Sequence, residues 1–443
     1  MSRRTTKFLK AALSVLHYSG ADGLAAPFFS GNGVIFMLHH VLPGAPRDFE
    51  PNGILKITPE FLEAVIRQVL DSGFDCIAMD DVPDRITGGA GQKPFAAFTL
   101  DDGYKDNRDY AYPVFKKFGV PFTIYVPTDF AEGRGDLWWL TLEEALRRSQ
   151  SVTLEMNGTR RTFNLVTAAE KDAGFQEIYW WLRQMREDKA RAVTHRLARE
   201  AGFDHTEYCA DLIMNWDELR DFSRDPLVSI GAHTNAHFAL SKLPADVARR
   251  EIAESVERIT AEFGKPCRHF SYPYGCELSA GEREFEIVRE LGLATAVTTR
   301  KGLLHASHKD SMAHLPRLSL NGDFQDARYI KVLLSGAPFA LWNAARRLKP
   351  SAAKQPASSN GPQGLRIGLL HPFDEKAGGQ NPEQPCDHIK SQFDELTGGA
   401  HLEDHGDAER NKCVDRDHGN EGDGADELAR ARGHGDPNSA IEA

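Results

Sequence analysis

A chain of 443 residues, 41% hydrophobic and 26% charged, is too long for one small domain and has the apolar content for one large α/β domain with additions. Its 64 Asp and Glu outweigh 53 Lys and Arg to give a net charge of −11, which argues against nucleic-acid binding through a general basic surface. Six cysteines stand without CxxC spacing, a pattern that fits reduced thiols better than a cysteine-built zinc site or a secreted disulfide framework.

Residues 1–29 read as a helical lead. A basic start (Arg3, Arg4, Lys7, Lys10) runs into Ala11–Leu16, but His17, Tyr18 and Asp22 interrupt the apolar run before it reaches the ~7–15 residues of a secretory core. A soluble amphipathic helix is the expectation, with a membrane-surface or export role as the alternative. No window supplies the ~18 apolar residues of a membrane span, and the chain is expected to be cytoplasmic.

From residue 30 to 335 short apolar runs alternate with amphipathic stretches. Val34–Leu38 reads as a buried strand, and Pro59–Ser72 as a helix with Thr58 as its N-cap and proline at its first position. Asp80-Asp81 reads as another helix start. Phe95–Leu100 is a second strand, followed by a helix around Tyr110–Phe118, and Phe122–Val126 is a third strand. The segment 137–205 breaks this rhythm and reads as an insertion of mixed structure. Its Trp138, Trp139 and Tyr179–Trp181 are either the core of that insertion or platforms on which sugar rings stack. Strands at Leu227–Ile230, His269–Tyr272, Ala294–Thr298 and Leu315–Leu320 follow, with helices at Ala245–Phe263 and Gly281–Leu291. Such alternation predicts a parallel sheet with helices outside it, closed as a barrel or open and doubly wound. Residues 336–443 read as a linker and a disordered tail. Within it, 351–443 carries 18 Asp+Glu against 9 Lys+Arg, or −9 of the total −11, and few apolar clusters.

Three segments carry candidate chemistry. Phe98–Tyr104 ends an apolar strand in Asp101, Asp102 and a glycine, which in a parallel α/β domain places two carboxylates at the C-terminal end of a strand. Adjacent strand residues point to opposite sides, so one carboxylate can hold a metal while the other takes a proton from water. His233 and His237 follow the next strand run and can converge on one metal if a helical turn follows. Chance alone supplies ~0.7 such pairs among 17 histidines in 443 positions. His401 and His405 share the spacing inside the tail, so only position after a strand distinguishes the first pair, and satisfied loop histidines remain an alternative. The third segment, His269–Gly275, runs a strand into a turn whose proline and glycine can aim a backbone N–H at a bound oxygen.

In this order, Thr99-Leu-Asp101-Asp102-Gly103, His233-Thr-Asn-Ala-His237 and Ser271-Tyr-Pro273-Tyr274-Gly275 resemble the motifs of the polysaccharide deacetylases, the NodB-homology carbohydrate esterases. The resemblance spans roughly residues 33–325. It extends to Met37-Leu-His39-His40-Val41, which looks like the Tyr-His-x-Val opening of one branch, and to Leu315-Pro-Arg317 among its late strands. It implies a distorted (β/α) barrel with one divalent metal, commonly zinc, held by Asp102, His233 and His237. Asp101 would be the general base, the Tyr274 backbone N–H an oxyanion donor, and a histidine the general acid. The substrate implied is an N-acetylated oligo- or polysaccharide of chitooligosaccharide or envelope-precursor type, and no nucleic-acid partner or firm membrane segment is expected.

The chain departs from the family pattern at Ser271, where many members carry an arginine that braces the catalytic aspartate, and Arg317 is the expected substitute. For the acid, His314 is favoured because it adjoins the Leu-Pro-Arg strand, with His305 and His308 as alternatives. Leu100 replaces a common phenylalanine, a packing change. Hydrolysis of another amide or an O-acetyl ester, and a non-catalytic glycan-binding relative, are the competing readings.

Overall fold

In the computed structural model, which describes residues 3–88 and 91–348, seven strands close on themselves. They are β1 (Gly33–Leu38), β2 (Phe95–Asp101), β3 (Phe122–Val126), β4 (Val228–Ala232), β5 (His269–Ser271), β6 (Thr295–Lys301) and β7 (Leu315–Ser319). Each pairs in parallel with the next in chain order. Closure comes at β1, whose Phe36 aligns with Phe98 of β2 on one edge and Leu318 of β7 on the other. Of the two predicted architectures, the chain adopts the barrel. A two-residue strand, Asp75–Cys76, lies against the start of β2.

The strand runs are apolar without alternation because both of their faces are covered. On β1 and β2, Val34, Phe36, Leu38, Ala96, Phe98 and Leu100 belong to the core shared with the surrounding helices, where Phe36 stacks on Phe98 at 4.9 Å. The alternate residues Ile35, Phe95 and Ala97 join Tyr125, Val297 and Leu315 in a second core, the barrel interior, together with Val82 and Ile86 of the helix Val82–Thr87. Continuing the same alternation, Thr99 and Asp101 follow Ala97 on β2, and Arg317 follows Leu315 on β7. The interior is therefore apolar where the strands begin and polar where they end.

Thr58 caps the helix Pro59–Asp71 by accepting from the Phe61 N–H at 3.1 Å, and Ala245–Phe263 forms a helix ended by Gly264 in the left-handed region. The helix expected from Tyr110 is α-helical from Tyr112. The preceding turn, Asn107–Ala111, is π-helical beside Pro113, which has no N–H to donate.

The insertion folds into the helix Trp138–Arg148, an antiparallel hairpin (Ser151–Met156 with Thr159–Asn164), and helices Ala168–Leu182 and Glu187–Glu200. It has its own core, in which Trp138 and Trp139 are 3% and 5% exposed and Trp181 is buried. These three are packing residues and offer no open face to a sugar. Trp180 is 36% exposed.

The lead holds two helices, Arg3–Tyr18 and Ala21–Phe29, and the stretch read as linker begins with the helix Ala337–Leu348. The acidic segment 351–443, with His401 and His405, lies outside the described residues. Among those described, four cysteines are free, and no helix is long and apolar enough to cross a membrane.

Candidate active site

Arg317 is 1% exposed and spends all five guanidinium donors inside the barrel. Nη1 and Nη2 grip the Asp101 carboxylate at 2.8 and 2.7 Å, a bidentate pair. Nη1 also donates to Thr99 Oγ1, Nη2 to Ser271 Oγ and Nε to the Thr298 carbonyl. Ser271 thus stands beside the arginine that the sequence places on a different strand. Burial alone raises the Asp101 carboxyl, but the charge and hydrogen bonds of Arg317 outweigh it and bring the group down to about 2.

Asp102 does not continue the strand. Its φ of 77° lies in the left-handed region and carries its carboxylate out of the alternation. Oδ1 lies 3.6 Å from His233 Nε2 and 3.4 Å from His237 Nε2, and one ligand atom from each residue falls within 4.8 Å of the others. His233 Nδ1 lies 2.6 Å from the Ser271 carbonyl, which assigns the proton to Nδ1 and leaves the Nε2 lone pair facing Asp102. The expected helical turn between the two histidines is instead an irregular bend. Thr234 and His237 both adopt positive φ, and the His237 N–H donates to Thr234 Oγ1 at 3.0 Å.

The bend is clamped from outside. Glu251, on the helix Ala245–Phe263, accepts from the N–H groups of Asn235 and Ala236 at 3.1 and 3.0 Å. Thr128 Oγ1 donates to Asn235 Oδ1, and Arg191 donates to the Ala236 carbonyl. Of the five non-glycine residues with positive φ among those described, four are Asp102, Thr234, His237 and Tyr274. Backbone strain is thus concentrated in this site, held by its neighbours.

The donor set fits a cation. Asp102 Oδ1 is buried with no hydrogen-bond partner among the described residues, between the Nε2 atoms of His233 and His237. Burial and the neighbouring Asp101 charge push the Asp102 carboxyl well up, and burial and the nearby His233 push His237 well down. An ionised Asp102 here calls for a positive charge among the three acceptors.

Next to this group lies His39, a residue of the Met37–Val41 segment. It directly follows β1, whose Met37 aligns with Thr99, and its Nε2 lies 4.0 Å from Asp101 Oδ2. Burial, opposed by the charge of Asp101, lowers it to about 4. His40 is engaged elsewhere, with Nδ1 2.6 Å from Asp106 and its ring on Tyr104.

The structure does not bring His314 to the group. It precedes β7, at the opposite end of the barrel from the site, with its ring stacked on Phe285 at 4.7 Å and Arg300 and Glu282 as charged neighbours. His305 and His308 lie in the turn after Leu304, which bonds to the start of β1, and so belong to the same far end. The missed signal was positional. In a parallel barrel a histidine after a strand shares the end of the other strand termini, and one before a strand does not.

Tyr274 sits in the turn between Pro273 and Gly275. A Cβ on Gly275 would come within 2.5 Å of the Thr299 nitrogen, so the turn needs glycine there. The Tyr274 ring packs on His237 at 4.9 Å between centroids, its hydroxyl accepts from Trp138 Nε1, and the Arg183 guanidinium lies 3.5 Å from the ring centre. Trp138 and Arg183 both come from the insertion, which therefore roofs one side of the site.

Residues 171–296 match the family model described as polysaccharide deacetylase, a span that includes His233, His237 and Tyr274 and starts after Asp102. No curated protein matches the chain. Similar solved structures include the Streptococcus pyogenes deacetylase PplD in complex with acetate, at 18% identity and a TM-score of 0.40 over 65% of this chain and 92% of that one. IcaB from Ammonifex degensii is similar at 15% identity and 0.43, over 69% and 97%. The BpsB deacetylase domain from Bordetella bronchiseptica is similar at 16% and 0.40, over 66% and 97%.

Proposed function

We propose that this chain, whose family is the polysaccharide deacetylases, hydrolases of carbon–nitrogen bonds other than peptide bonds, removes N-acetyl groups from a chitooligosaccharide-type or envelope-precursor glycan with the help of one divalent metal ion, commonly zinc in that family. The observation that carries the reading is the pairing of two carboxylates in one mouth. Asp101 is bound to Arg317, and Asp102 faces His233 and His237.

Asp102, His233 and His237 would hold the metal, which when bound supplies Lewis acidity to the acetyl carbonyl and lowers the pKa of water. Asp101 takes the proton of the attacking water at a carboxylate oxygen, and Arg317 keeps that carboxylate ionised and aimed. The Tyr274 backbone N–H stabilises the oxyanion from its left-handed turn. His39, beside Asp101, passes the proton that Asp101 has taken from water on through Nε2 to the departing amine, so that acetate and a free amino sugar leave.

The test is acetate release from N-acetylglucosamine oligomers of increasing length, with protein as purified, chelated and zinc-restored, and Asp101→Asn as the control. Release that follows the metal and vanishes in the variant supports the reading. One bound metal per chain without release would reject the acyl substrate, and neither metal nor release would reject the mechanism.

A further inference from the structure

Four helices lie against one another outside the barrel: Arg3–Tyr18 and Ala21–Phe29 before β1, Ala327–Leu334 and Ala337–Leu348 after β7. Toward the protein they pack conventionally, with Leu13 against Tyr329 and Val332. Away from it they expose apolar side chains. Phe8, Val15 and Tyr18 stand out from the first helix, and Leu24, Phe28 and Leu341 are 78%, 79% and 59% exposed. Leu24 and Phe28 are four residues apart and share one helix face. The only charged residue of Ala21–Phe29 is Asp22, which is buried and lies 3.8 Å from His17, so no charge interrupts that face.

The charge of these helices opposes that of the chain. The first helix carries Arg3, Arg4, Lys7 and Lys10 with no acidic residue, Ala327–Leu334 adds Arg328 and Lys331, and Ala337–Leu348 adds Arg346 and Arg347. That is eight basic residues against the single buried Asp22, in a chain of net charge −11. Arg328 is committed to Asp326 and Tyr18, whereas Lys7 and Lys331 are exposed. A second copy of the chain would set cationic helices against cationic helices. Segment 351–443 could offset the charge but has few apolar residues for Leu24, Phe28 and Leu341.

Exposed apolar side chains on helices rich in Lys and Arg match an anionic lipid surface, where the former enter the headgroup boundary and the latter meet phosphates. We propose that this four-helix face docks the protein peripherally on an anionic phospholipid bilayer through Leu24, Phe28 and Leu341. The helix Ala21–Phe29 leads into the start of β1, whereas Asp101 and Asp102 lie where β2 ends, so docking leaves the catalytic mouth open. The inference stands independently of the metal and the glycan.

The full chain is sedimented with vesicles of phosphatidylcholine, with and without phosphatidylglycerol. Pelleting with the anionic vesicles, weakening as salt is added, is expected. Leu24→Glu/Phe28→Glu should bind at least about tenfold more weakly, with circular dichroism and melting temperature unchanged. The proposal is overturned if the chain stays in the supernatant with both vesicles, pellets equally with both, or pellets as well when both residues are changed. A dimer in sedimentation velocity that the double variant dissolves, with no vesicle binding, assigns the face to a second copy and overturns it as well.

Discussion

Asp101 combines two demands that pull in opposite directions. Two guanidinium bonds hold it ionised at about 2, and that same grip makes it a weak base, so its reactivity relies on placement. Because its folded value lies below the unfolded one of ~3.9, the pair contributes stability above that value and loses it as pH falls through about 2. Shortening the arm in Arg317→Lys removes the bidentate grip and lets the carboxyl rise. The acid limb of kcat/KM is then expected to move to higher pH, with metal content per chain unchanged. A pH–rate profile on both proteins checks this, and an unmoved limb would separate Arg317 from the base. For His39, protonation matters only where the leaving group needs it. His39→Gln should lower turnover of N-acetylglucosamine oligomers by ~10²–10⁴-fold and spare an activated aryl acetate. Equal losses on both substrates would assign His39 a structural part.

At the scale of elements, Asp101 and Arg317 come from regular strands, whereas Asp102, His233, His237 and Tyr274 sit in irregular turns just past strand ends. Each histidine's angle depends on a bend whose residues sit in a disfavoured region, so what holds the bend holds the ligands. Glu251 supplies that hold from the helix Ala245–Phe263 through two backbone N–H groups. Glu251→Ala leaves both donors without their acceptor, and zinc affinity is expected to fall ~10–100-fold while the circular dichroism spectrum is retained. Competition with a chelating dye measures it, and wild-type affinity would show that Thr128 and Arg191 suffice. The same turns explain what was and was not readable. Strand runs and the capped helix at Thr58 follow from local patterns of burial and hydrogen bonding. The bend after β4 departs from the helical turn expected between His233 and His237 because its hydrogen bonds come from elements distant in the chain.

For the whole molecule, closure of β7 onto β1 matters more than any single element. It brings Arg317 to Asp101, 216 positions apart, and it separates the mouth from the end where His305, His308 and His314 lie. The insertion adds a further core that reaches the mouth through Trp138 and Arg183. Segment 351–443, by contrast, has a composition unsuited to a packed core. A chain ended after Pro350 is expected to release acetate at the full-length rate and to melt at the same temperature. Loss of either would give the acidic segment a structural part.

The sequence by itself determined a parallel α/β class, because buried strand runs are continuous in the chain and alternate with helices, and it offered Asp101, Asp102, His233 and His237 as candidates, because they follow the ends of such runs; the barrel came from the family resemblance alone. It also supplied Arg317 as the expected partner of the aspartate. Only the tertiary structure decided that His39 and not His314 lies beside Asp101, and that Trp138 and Trp139 are packed. Those outcomes depend on which strands are neighbours and which end of each faces the mouth. Pairing and closure are interactions between segments tens to hundreds of residues apart, and local pattern carries no record of them.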